Sequence, residues 1–404
     1  MIHLTKLAIF PAFVFALVLP LLAWTNYYAW PDYLHAAVYG QFAAVFIMMS
    51  ATILFFKSVP DGRVLNILFV LFAIYCFFSS VWSIDFYGSL ENAIALGIYF
   101  VAFVSFWKQP EKMRENAFFY AVASFCVGTA ILPIYLGLSS RSFGGVTANM
   151  IAHIGFTIIV LAHFGRRLVP FFTAIGIGLI IYAQGRTVLL SAIAFLIMYY
   201  GALPITYKFK ARIASLSLII YGSIIIGLFY SIFASAAVNN LSSVTSVENE
   251  ARLGSDFTGR TGLWEQGLRE WQHNFFLGNG FSTRGDIKIS SGPDFNAHSG
   301  VLNLLLDLGF IGAILFIILY ATAIYVSFNP KLGSNIPSVR TSAAFFIGYL
   351  PNFVVEPNYL SLYHPSSLAL FFALTAICGI DGVNSKAGRR QTVGRQTAAS
   401  LARR

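Results

Sequence analysis

The chain has 404 residues, 57% of them hydrophobic and only 10% charged, and its mean hydropathy is +0.73. A water-soluble fold of this length cannot hide so much apolar surface, so lipid is the solvent for most of the chain. The net charge of +10 does not point to nucleic acid, because the basic residues are distributed as a membrane-topology signal.

In chain order, the apolar runs predict spans at 7–24, 33–56, 64–82, 92–107, 116–137, 148–164, 168–183, 187–205, 213–236, 298–326, 338–353 and 365–380. These runs do not alternate apolar and polar residues, which disfavours a β-barrel, and a helix satisfies its own backbone while crossing the roughly 30 Å hydrocarbon core. The expected fold is an all-α integral membrane protein of about twelve transmembrane helices, with one large non-cytoplasmic loop between spans nine and ten. The first run follows Lys6 and superficially resembles a signal peptide, but it is long for that role and no small-residue cleavage site follows it. Cys76, Cys126 and Cys378 all fall inside apolar runs, as small buried hydrophobes do, and form no disulfide or metal pattern.

With the N-terminus inside, 19 of the 26 Lys and Arg residues fall on the cytoplasmic side, while 11 of the 16 acidic residues fall on the other. Both termini are therefore expected in the cytoplasm. The chain divides into a membrane bundle at 1–236, an outer loop at 237–297, a second membrane part at 298–380 and a basic cytoplasmic tail at 381–404. The tail from Lys386 onward has no acid and little apolar content, which suits an unstructured segment lying on anionic headgroups. Within the outer loop, Trp264, Leu268, Trp271 and Phe275 recur at helical spacing and predict an amphipathic helix with Arg260 one turn upstream. Such a helix either lies on the membrane surface or covers the bundle.

Charges at the ends of spans are costly and therefore informative. Arg186 stands at the outer junction of two apolar runs with almost no loop between them, and Arg260 and Arg284 approach the same leaflet from the outer loop. An arginine here can simply snorkel to the interface. Converging guanidinium groups also suit a diphosphate, since each fork donates two parallel hydrogen bonds to phosphate oxygens. His298 stands where the outer loop re-enters the membrane. A histidine at a helix start is often only structural, yet it is the side chain on this face best suited to act as a general base. Asn303 and Asp307 are four residues apart and form one polar patch inside the bundle, whereas nine residues separate Asp307 from His298 and set it on roughly the opposite side of a regular helix. Glu356, in a short outer connection, is the better carboxylate for the surroundings of His298, with His364 a weaker candidate.

The order and spacing of several short motifs resemble the O-antigen ligase and polysaccharide polymerase superfamily of bacterial envelopes. The motifs are Val81-Trp82-Ser83-Ile84-Asp85 with Ser89, Gly185-Arg186-Thr187, Thr258-Gly259-Arg260-Thr261-Gly262-Leu263-Trp264 and Leu277-Gly278-Asn279-Gly280-Phe281. Ala297-His298-Ser299-Gly300 and Leu308-Gly309-Phe310-Ile311-Gly312 complete the series. The resemblance covers most of the chain from about residue 80 to residue 380. It implies an inner-membrane glycosyltransferase that takes a glycan from undecaprenyl diphosphate at the periplasmic face and passes it to an acceptor hydroxyl on a glycan or on lipid A-core. It also implies that Arg186 and Arg260 hold the donor, the diphosphate role of Arg284 resting on its position alone, and that His298 is catalytic. Ser299 departs from the family pattern, which often has Asn there. The segment around Arg260 is more similar to the exopolysaccharide polymerase branch than to the ligase branch.

The chemistry such a site would perform follows from its groups. A polyprenyl diphosphate leaves readily once its charge is stabilised, so arginines replace a metal, and a single displacement assisted by a base inverts the anomeric centre. No cofactor is expected, and no Asp-x-Asp pair for a metal stands in the outer loops. The rival class is a lipid-linked glycan flippase or another twelve-span transporter, but the halves show no repeat and the longest connection is off-centre. An intramembrane protease is disfavoured by the lack of a Gly-x-Ser-x-Gly elbow or a His-Glu-x-x-His pair. The topology is tested by cysteine labelling of intact cells: positions within 237–297 should react from outside, and labelling of the tail after Asp381 would overturn the orientation.

Overall fold

The structure, a computed structural model, describes residues 64–107, 109–136, 142–143, 146–183, 185–204, 260–283, 299–329, 336–356, 360, 364 and 366–379. The expected spans at 7–24, 33–56 and 213–236 and the basic tail lie outside the described residues. The helices are α1 (Val64–Ser79), α2 (Phe86–Trp107), α3 (Glu111–Leu136), α4 (Ala148–Gly165), α5 (Val169–Tyr182) and α6 (Arg186–Ile197). They continue with α7 (Arg260–His273), α8 (Gly300–Ser327), α9 (Pro337–Gly348), α10 (Leu350–Val355) and α11 (Ser366–Gly379). A 3-10 turn, Ser80–Trp82, extends α1, and a π-turn, Met198–Ala202, extends α6. Two-residue strands, β1 (Ser142–Phe143) and β2 (Val146–Thr147), pair antiparallel with Ser142 opposite Thr147. Outside its turns and short connections the described chain is helical, consistent with an integral membrane protein.

By length and composition Val64–Trp82, Phe86–Val104 and Gly300–Ser327 are long and apolar enough to cross a membrane, and several shorter apolar helices accompany them. Two expected boundaries are corrected. The helix expected from residue 92 begins at Phe86, and the run 338–353 is split into α9 and α10 at Tyr349. Pro351 accounts for the split, because it lacks the N–H that would bond the carbonyl four residues back.

Packing follows from side-chain periodicity. On α1, Leu65, Phe69, Phe72 and Cys76 repeat every three or four residues and are buried, while Ile67, Leu71, Ile74 and Phe78 stand exposed on the other face. A helix apolar all round belongs partly to the core and partly to lipid. Phe69 stacks on Phe100 of α2 at 3.9 Å, and Phe72 meets Phe316 of α8 at 5.6 Å. The hairpin of α4 and α5 packs closely because Gly155 and Gly176 oppose each other, and a Cβ on either would lie 2.5 Å from the other's carbonyl oxygen. Small residues at a crossing let two backbones approach, and dispersion then takes over the role that water plays in soluble bundles.

The helix ends sort into two levels. At one end Arg166 pairs with Glu111 and Glu115, and Arg340 lies over the Tyr199 ring at 4.4 Å while its Nε donates to the Tyr199 carbonyl at 2.9 Å. The starts of α3 and α9 and the ends of α4 and α6 therefore meet there. The starts of α4, α6, α8 and α11 meet at the opposite end, where Gly185 abuts Ala152 and Gly300 abuts Phe353 and the carbonyl of Glu356.

At that opposite end α8 is broken. Gly309 has φ 63 and ψ −168 inside an otherwise regular helix, and the segment after α7 fills the break. Phe310 N and Ile311 N donate to the carbonyls of Phe275 and Phe276 at 2.9 and 3.2 Å, and Asn279 N and Gly280 N donate to Leu306 O and Asp307 O, both at 2.8 Å. The Tyr75 hydroxyl takes the Leu308 carbonyl at 2.9 Å. The same segment is tied to the end of α1, with Trp82 Nε1 donating to Leu277 O at 3.1 Å and Ile84 N to Asn279 O at 3.1 Å.

Gly278 has φ 69, and a Cβ there would collide with Gly309 N and sit 2.5 Å from Asp307 O. Gly278→Ala should therefore lower the thermal midpoint in detergent, since the left-handed backbone alone costs roughly 1–2 kcal/mol and the collision adds to it. Gly178→Ala on α5, where a Cβ meets nothing within 4 Å, should leave the midpoint unchanged.

Candidate functional site

Arg186 opens α6 with an exposed side chain, and among the described residues it has no ion-pair partner. The preceding residue, Gly185, caps the helix without a side-chain hydrogen bond. A cation at a helix N-terminus is opposed by the helix dipole, so nothing local rewards an arginine here. An anion bound at this point would engage both the guanidinium and the first free N–H groups.

Ser299 is the N-cap of α8, and its hydroxyl accepts from Leu302 N at 3.4 Å. That gives the residue a structural role at the position where the amide was expected. His298 and Arg284 lie outside the described residues. Asn303 and Asp307 are fully buried on α8, and Glu356, at the end of α10, is also buried. The close approach of Gly300 to the Glu356 carbonyl brings the end of α10 against the start of α8.

Arg260 opens α7. Trp264 and Trp271 pack against Leu302 and Leu306, while Phe275 stacks on Phe310 at 5.4 Å. Because its C-terminal end is held at Phe310 and its body lies on Leu302 to Leu306, α7 runs alongside α8 in the same direction. Its first residue therefore lies toward the end where α8 begins. The amphipathic helix covers the bundle here, and one member of the expected stripe is corrected: Leu268 is 42% exposed. Phe275 belongs to the turn beyond the helix yet continues the apolar contact.

One set of residues was not anticipated as a cluster. His153, in the second turn of α4, is buried, with Nδ1 2.7 Å from Ser366 Oγ of α11 and 3.4 Å from Asn352 Nδ2 of α10. Its ring meets that of His364 edge-on at 4.5 Å. An amide nitrogen can only donate, so Nδ1 is the acceptor and the ring proton is assigned to Nε2. Nε2 has no hydrogen-bond partner among the described residues, and neither has Oδ1 of Asn352. Asn352 lies one turn before Glu356, whose N–H donates to its carbonyl at 2.8 Å. A buried polar layer thus sits one turn below Glu356 and next to the Gly185–Ala152 contact beneath Arg186. The sequence signals for it were His153 in an otherwise apolar span, the most common form of a structural histidine, and His364, read above only as a weaker candidate for the surroundings of His298.

Residues 171–317 match the family model described as O-antigen ligase. Over these residues the chain is similar to the O-antigen ligase family. The matched segment reaches from α5 into α8 and contains Arg186, Arg260, Arg284, His298, Asn303 and Asp307. The match supports the superfamily that the motifs resemble, and it indicates ligase- or polymerase-type, glycosyltransferase-like activity on lipid-linked glycans and glycan acceptors. No curated protein matches the chain.

Removing one partner of a buried polar group costs roughly 1–3 kcal/mol. Ser366→Ala should therefore destabilise the protein in detergent by an amount in that range, read as a lower unfolding midpoint, because His153 Nδ1 keeps only the longer contact to Asn352. An unchanged midpoint would show that the serine hydroxyl contributes nothing to the layer.

Proposed function

We propose that the protein moves a glycan from undecaprenyl diphosphate to an acceptor hydroxyl at the periplasmic face of the bacterial inner membrane, as a polysaccharide polymerase in preference to a lipid A-core ligase. The observation that carries this reading is the O-antigen ligase match over 171–317, which includes the arginines and the histidine singled out for their chemistry. The preference for polymerase rests on the segment from Thr258 to Trp264. The orientation rests on the distribution of Lys and Arg.

In this reading Arg186, Arg260 and Arg284 receive the donor diphosphate. The acceptor oxygen attacks the anomeric carbon as His298 takes its proton, and the C–O bond to phosphate breaks with its electron pair leaving on the diphosphate. The arginines neutralise the charge that develops on the leaving group, which is the largest electrostatic demand of the step, and the scheme calls for no metal. One displacement inverts the sugar configuration. Glu356 lies near the start of α8 and would orient or stabilise the charged imidazole, while Asn303 and Asp307 act from within the bundle as support. The exposed apolar faces of the helices would hold the polyprenyl tail.

The roles separate kinetically. Arg186→Ala and Arg260→Ala should weaken donor binding as well as turnover, by roughly 1.5–3 kcal/mol each, and lysine should rescue only in part because a point charge does not reproduce the planar fork. His298→Ala should retain donor binding while transfer falls by roughly 10² to 10⁴. These are read in proteoliposomes with lipid-linked donor, after membrane levels are matched. Near-normal transfer by His298→Ala with an unchanged pH profile would return that residue to a structural role.

A further inference from the structure

We propose that Asn279 is a positioning residue for Arg260, acting through α7, an inference that rests on the donor-binding role given to Arg260 above. Asn279 is buried, and its side chain makes two hydrogen bonds, one of them to the Leu306 carbonyl that its own backbone N–H also engages. Oδ1 accepts from Asn274 Nδ2 at 2.6 Å, and Nδ2 donates to Leu306 O at 3.2 Å. Asn274 follows α7 directly, and Leu306 belongs to the part of α8 that precedes the break. The side chain therefore joins the foot of α7 to α8 at the one place where α8 offers carbonyls free of its own helix.

The lever is long. α7 has 14 residues, so a helix of that length rises about 21 Å from its foot to Arg260. A swing of about 5° at the foot moves the far end by almost 2 Å, and misplacement on the order of 1 Å is enough to cost about 10²-fold in a positioned reaction. The contacts of Trp264 and Trp271 with Leu302 and Leu306 are apolar and tolerate such sliding, whereas the directional bonds at the foot, the two from the Asn279 side chain added to those of the backbone, do not. On this account the motif from Leu277 to Phe281 need not touch donor or acceptor. It sets the angle at which Arg260 is presented.

The test is a double-mutant cycle on the full chain in proteoliposomes, with hydrogen exchange of the α7 amides as a second readout. Asn279→Ala should speed exchange across 264–273 and raise the donor KM by about the same factor as Arg260→Ala. The double variant Asn279→Ala with Arg260→Ala should be no worse than Arg260→Ala alone. With Arg186→Ala, by contrast, the losses should multiply, since that arginine is carried by α6. A variant that merely weakened the fold would multiply with both. The proposal is overturned if α7 exchange is unchanged, or if the losses multiply with Arg260→Ala as they do with Arg186→Ala. If Asn279→Ala does not reach the membrane, Asn274→Ala, which removes only the bond between the two amides, is held to the same pattern. A normal donor KM in Arg260→Ala alone overturns the donor-binding reading itself, and the positioning claim with it. An Arg260 effect with unchanged α7 exchange sinks the positioning claim alone.

Discussion

A helix that is broken inside lipid must find partners for the backbone groups it frees, because hydrocarbon provides none. The break of α8 at Gly309 meets this demand by taking in a second piece of chain, and the rest of the outer architecture depends on that exchange. Carbonyls from Leu306, Asp307 and Leu308 and N–H groups from Phe310 and Ile311 all find partners in the segment after α7 or on α1. The loop is thereby part of the bundle over this stretch. Two glycines with positive φ, Gly278 and Gly309, let the backbones come close enough, and each would strike the other if it carried a side chain.

This also explains why short motifs far apart in sequence go together. Trp82 to Ser89, Leu277 to Phe281 and Leu308 to Gly312 are separated by up to some two hundred residues, yet all of them touch the same break. Ser89 Oγ donates to Phe281 O at 2.7 Å, and Phe281 N donates to Ser79 Oγ at 3.0 Å. Their spacing carries the architecture around the break, whereas on the proposed function Arg186, Arg260 and His298 carry the chemistry.

The helical class, the positions of most described helices and the existence of α7 were legible in the sequence, because apolar runs and a 3.6-residue stripe are local signals. The start of α2 and the interruption at Tyr349 were less so. The first has a polar segment that the bundle nonetheless holds helical, and the second depends on one proline in an apolar run. The break at Gly309 was not read as such, since a glycine in a span is more often a packing residue, and its partners lie about thirty residues upstream. Glu356 was read from connection order as the carboxylate for the surroundings of His298; its carbonyl approaches Gly300, and His298 lies outside the described residues. The layer around His153 stayed hidden because it is assembled from α4, α10 and α11, each contributing one or two polar residues to an apolar surrounding.

The shortness of α5 has a consequence for the bilayer. Fourteen residues rise about 21 Å, well under the roughly 30 Å of hydrocarbon, while Phe171, Ile181 and Tyr182 near its two ends are exposed. Lipid accommodates such a mismatch by thinning locally, at a modest cost for each ångström. Such a dip would fall beside the residues that precede Arg186 and bring headgroups toward that arginine. On the proposed function, a polyprenyl carrier drifting along this flank would meet the guanidinium at the depth of its own diphosphate, without having to lift its head out of the membrane.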